Sequence, residues 1–157
     1  FPEEMKSHAS HDVLILCFGE IDIRCYVKPN LERKSGSLDL LLLDWVNDYL
    51  NQISNLVVPQ NVKIYIMSVP PPAYFYKANT NPSYPVAGTD EERSEYVKKI
   101  NEIILDGCNK RNLGFLDVYS KYKDDLGMLR ECDADGSVHI VNSKYVRELL
   151  IEIGLIK

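Results

Sequence analysis

A chain of 157 residues, 45% hydrophobic and 26% charged, has the balance of a single globular domain over residues 1–157, large enough to bury a real core. Its net charge of −5 argues against a nucleic-acid backbone or an anionic membrane surface as the main partner. No apolar run approaches the roughly 20 residues needed to span a bilayer, and none has the form of a signal peptide.

The four cysteines, Cys17, Cys25, Cys108 and Cys132, have no metal-type spacing and read as the reduced thiols of a cytoplasmic protein. No metal and no other cofactor is expected. The chain opens at Phe1 rather than Met, which suggests a fragment of a longer protein or a processed product.

The first apolar run, Val13–Phe18, has the length and continuity of a buried parallel strand. It runs into Gly19, Glu20, Asp22 and Arg24. A glycine there permits a tight turn and leaves its backbone N–H available to an oxyanion, and the charged groups can bind polar parts of a substrate or pair with one another. Leu42, Trp45, Val46, Tyr49, Leu50 and Ile53 then recur at helical spacing behind Ser37 or Asp39 as cap.

A second buried strand is read at Val62–Val69. Pro70, Pro71 and Pro72 stop it, and a long segment follows in which Tyr74 and Tyr76 offer aromatic faces for a lid over a substrate. Thr89 and Glu92 form a capping box that opens a helix burying Tyr96, Val97, Ile100, Ile103 and Ile104. The third strand is Phe115–Tyr119. Beyond it, Asp133 and Asp135 precede His139, just ahead of a last helix that buries Tyr145, Val146, Leu149, Leu150 and Ile153. A carboxylate that orients an imidazole lets the ring take a proton from a nucleophile. His8 and His11 sit near the N-terminus, away from the structured pattern.

Strand and helix thus alternate, the signature of an α/β fold with right-handed crossovers. Ligands of such sheets gather at the carboxyl ends of the strands, so the three strand exits carry the candidate site.

The pieces resemble the SGNH/GDSL hydrolase family over most of the chain. "VLILCFGEID" is similar to that family's strand carrying a Gly-x-Asn-Asp block, "IYIMSVPPP" to its next strand, and "DGSVHI" to the terminal block that supplies catalytic Asp and His. The resemblance implies a three-layer α/β/α fold with a parallel sheet and flavodoxin-like SGNH-hydrolase architecture, here lacking the first strand or strands. It implies His139 as general base, Asp135 as its orienting carboxylate, and an oxyanion hole near Gly19. The activity implied is that of a serine esterase, an O-acyl or O-acetyl esterase acting on a carbohydrate or another small ester.

The chain departs from the family at three places. The Gly-Asp-Ser block is missing, which puts the nucleophile upstream of Phe1; Ser68 and Cys25 are weaker internal candidates. Ile21 stands where the family has an oxyanion asparagine. Asp135 and His139 are separated by three residues rather than two, leaving Asp133 as a competing orienter. The alternative is a catalytically inactive SGNH-like domain that binds a carbohydrate or a protein partner.

Overall fold

The computed structural model describes residues 13–34, 36–59, 61–78 and 82–156. His8 and His11 lie outside the described residues. The fold is mixed α/β, built on an open sheet of three parallel strands, β1 (Val13–Leu16), β2 (Lys63–Met67) and β3 (Gly114–Leu116), ordered as in the sequence. Val13 pairs with Lys63 and Leu16 with Ile66; Tyr65 pairs with Gly114 and Met67 with Leu116.

Each strand is shorter than the apolar run that announced it. The residues left over, Cys17–Phe18, Ser68–Val69 and Asp117–Val118, form the exits. β1 is also less buried than a continuous apolar run implies, with Ile15 on the surface. The reason is its position: among the described residues it has a neighbour on one side only.

Alternation along the strands feeds a core on each face. Ile64 and Ile66 of β2 point into a cluster with α2 (Leu38–Ser54) and α4 (Asp90–Arg111), in which Leu42, Val46, Leu50, Ile100 and Ile104 are fully buried. Tyr65 and Met67 point the other way, toward Leu116, Tyr122 and Leu149 of α6 (Lys144–Glu152). Helical residues thus cover both faces, which is compatible with a three-layer arrangement.

The expected helix starts are found. Thr89 Oγ1 accepts from the Glu92 amide at 3.2 Å while Glu92 Oε2 accepts from the Thr89 amide at 2.9 Å, satisfying two otherwise orphaned donors of α4. Ser37 caps α2 through its extended backbone alone, with no side-chain hydrogen bond.

The exit of β1 differs from the open turn expected there. After Gly19 the chain becomes helical at once, passes through a π-helical turn over Asp22–Tyr26 and continues as α1 (Val27–Lys34). Pro29 explains the irregular turn. It lacks an N–H, and its ring would strike the carbonyl of Cys25, four residues back; the widened turn relieves that clash. The Pro-rich segment contains one short helix, α3 (Phe75–Ala78), and β3 leads into α5 (Tyr119–Tyr122). No helix among the described residues is long and apolar enough to cross a membrane.

Candidate functional site

The site begins with a hairpin-like turn between β3 and α6. Ala134 and Ile140 form an antiparallel bridge, the Asp135 amide donates to the His139 carbonyl at 3.0 Å, and Gly136 takes the left-handed conformation the bend requires (φ 89°). Asp135 Oδ1 accepts from the Ser137 amide at 2.7 Å, and Asp135 Oδ2 lies 2.8 Å from His139 Nδ1. The His139 ring, and after it the Ser137 amide, hold the Asp135 carboxyl below the usual carboxylate range. The imidazole is 74% exposed, and no described residue bonds its Nε2. One carboxylate therefore fixes one ring nitrogen and leaves the other open, the arrangement a general base needs.

The choice between Asp133 and Asp135 is settled by their partners. Asp133 is 2% exposed; its Oδ2 accepts from Arg130 Nε at 2.7 Å and its Oδ1 from Asn142 Nδ2 at 2.9 Å. It braces the hairpin and does not reach the ring. Arg130 in turn covers the Tyr145 ring at 5.0 Å.

His139 stands on the wall of a cleft of about 440 Å³, with Glu20, Met67, Pro70, Val118, Val138, Ile140, Ser143 and Val146. Glu20 comes from the exit of β1, Met67 from the end of β2, Pro70 from the exit of β2, and Val118 from the exit of β3. The cleft therefore sits at the carboxyl ends of all three strands, where such sheets place ligands. Its walls are mainly aliphatic, with Glu20, His139 and Ser143 as the polar groups.

Glu20 is held rigidly by Arg24. Oε1 receives Arg24 Nε at 2.6 Å and Oε2 receives Nη2 at 3.1 Å, a bidentate pair on the first turn of the helical segment. Arg24 is 8% exposed, and its Nη1 also donates to the Tyr84 carbonyl at 3.1 Å. The pair fastens the β1 exit to the loop ahead of α4. Gly19 supports this turn with φ 95°, and a side chain there would sit 3.0 Å from Val69 Cγ2. Its carbonyl accepts from the Ile23 amide at 2.9 Å.

The remaining candidates lie elsewhere. Asp22 lines a separate cleft with Phe18 and α2, and burial pushes its carboxyl up. Tyr74 donates to Asp124 Oδ2 at 2.6 Å and Tyr76 donates to Glu131, and neither ring lines the His139 cleft. The two rings stack on each other, 5.8 Å between centroids, and tie the Pro-rich segment to the chain beyond α5. Ser68 is fully buried, with its Oγ accepting from the Tyr119 amide at 2.9 Å, and Cys25 is buried within the π-helical turn.

Two features of the cleft escaped the sequence reading. Ser143 lies on its wall at the N-terminal cap of α6, where its hydroxyl makes no capping hydrogen bond among the described residues. The aliphatic walls come from residues that each read singly as core. Among the described residues no group of three or more His, Cys, Asp or Glu is placed to hold a metal ion. Among known proteins, no family model matches the chain and no curated protein matches it.

Proposed function

We propose that the chain carries the acid–base half of an SGNH/GDSL-type ester hydrolase. The observation that supports this most directly is the His139–Asp135 pair, 2.8 Å apart, on the wall of an apolar cleft at the carboxyl ends of the strands. In this reading a serine supplied from sequence upstream of Phe1 attacks the ester carbonyl. His139 Nε2 takes the hydroxyl proton and later returns it to the leaving alkoxide, while Asp135 holds Nδ1–H and stabilises the imidazolium. In this reading the developing oxyanion is received by first-turn amides after Gly19, since amides at a helix start lack an intrahelical acceptor. Ile21 offers no side-chain donor, so backbone groups carry that task alone.

Met67, Val118, Val138, Ile140 and Val146 suit the acyl part of the ester, and Glu20 accepts a hydrogen bond from its alcohol part, which includes a sugar hydroxyl. Turnover of p-nitrophenyl esters by the polypeptide extended upstream of Phe1 tests this reading, with His139→Ala and Ser143→Ala beside it. Loss of turnover in His139→Ala and retention in Ser143→Ala supports the scheme. Loss in Ser143→Ala moves the nucleophile into the cleft wall. Binding without turnover favours the inactive carbohydrate- or partner-binding domain.

A further inference from the structure

A separate cleft of about 290 Å³ lies between the exit of β1 and α2, lined by Phe18, Asp22, Trp45, Asp48, Tyr49 and Gln52 among others. It takes no part in the chemistry above. Trp45, Asp48, Tyr49 and Gln52 stand at i, i+3, i+4 and i+7 of α2 and so form one stripe of that helix. Phe18 arrives from the strand exit and stacks on Tyr49, and Asp22 follows on the π-helical turn.

The chemistry of these walls is mixed in a specific way. Three aromatic rings are the kind of surface that binds apolar groups, yet two carboxylates share the space. Neither Asp22 nor Asp48 takes part in an ion pair among the described residues. Burial pushes the Asp22 carboxyl up, a backbone hydrogen bond offsets part of the rise, and the charge of Glu20 adds to it. An anion is repelled here. A neutral apolar ligand would strip water from both carboxylates with no return. A strongly hydrated metal ion gains nothing from the rings. A soft organic cation meets both halves, its alkyl groups on the ring faces and its charge near the carboxylates.

We propose that this cleft binds a small alkylated ammonium group, with Trp45, Tyr49 and Phe18 as the aromatic walls and Asp22 and Asp48 as the counter-charge.

Trp45 is the single tryptophan of the chain, so tryptophan fluorescence reports on this one residue of the cleft wall. The chain is titrated with choline chloride against sodium chloride at constant ionic strength, and in parallel with the neutral isostere 3,3-dimethylbutan-1-ol. A saturable change with choline, at least roughly tenfold weaker or absent with the isostere, is the expected result for cation recognition. Asp48→Asn, on an exposed position of α2, is expected to weaken choline roughly fivefold. Backbone amide shifts in the wild-type chain provide a second readout, expected at 18, 22, 45 and 48–49. No saturable response to choline, coincident choline and isostere curves, or shifts mapping to another surface each overturn the proposal.

Discussion

His139 Nδ1 lies 2.8 Å from Asp135 Oδ2, while Asp133, two residues earlier, turns inward to Arg130 and Asn142. Two carboxylates so close in sequence are thereby given separable duties. Asp135→Asn is expected to leave stability nearly unchanged, because the group is on the surface, and to cut ester turnover by about 10²–10⁴-fold. Asp133→Asn leaves buried partners unpaired and is expected to cost roughly 2 kcal/mol or more of stability. Urea unfolding and kcat/KM measured on both variants check the division.

The aliphatic walls of the His139 cleft carry a specificity consequence. Each buried methylene contributes about 0.8 kcal/mol, close to fourfold in kcat/KM, so butanoate and hexanoate esters are expected to outrun acetate. Val146→Phe fills the cleft from α6 and is expected to erase that preference while sparing acetate. A chain-length series with both proteins measures this.

Alkaline pH acts through Tyr49 and Tyr74. Burial pushes the Tyr49 phenol up to about 12, and the hydrogen bond to Asp124 does the same for Tyr74. Both ordinarily titrate near 10, so the folded chain keeps protons that the unfolded chain releases between those values. Their contribution to stability is complete below pH 10 and disappears as pH climbs toward about 12. Tyrosinate absorbance in native and denatured chain, compared between wild type, Tyr49→Phe and Tyr74→Phe and with urea midpoints across this window, shows whether these phenols are among those that titrate late.

Arg93 ties the Pro-rich segment to α4. It is fully buried, donates to the Ala73 carbonyl at 2.7 Å and to Asp90, and leaves its Nε without a partner. Asp90 in turn accepts the Phe75 amide at 2.9 Å. Arg93→Ala is expected to cost roughly 3 kcal/mol, since it removes packing and strands the Ala73 carbonyl. Arg93→Met keeps the stem and removes the orphan donor, so it is expected to cost clearly less. Thermal and urea unfolding of the two variants decide.

What the sequence disclosed follows physical range. The Thr89–Glu92 box and the apolar stripe of α4 are local, and both were legible. The helical run after Gly19 was also present in the pattern, since Ile23, Val27 and Leu31 recur every fourth residue and face the core. Pro29 and the cluster of charges masked it. Asp133 and Asp135 could not be ranked from spacing, because the deciding partners include Asn142, beyond the far side of the hairpin-like turn. Nor could Tyr74 and Tyr76 be placed, since their hydroxyls are claimed by Asp124 and Glu131, about fifty residues away. The apolar cleft was invisible for a similar reason: Met67, Val118 and Val146 come from different elements, and each alone is indistinguishable from core.

The most direct test of the central claim is ester turnover by the upstream-extended polypeptide, wild type against His139→Ala, with folding of both checked by circular dichroism. The account requires measurable wild-type turnover of a short-chain p-nitrophenyl ester and a loss of at least about 10²-fold in the variant. Equal rates in two folded proteins would contradict it.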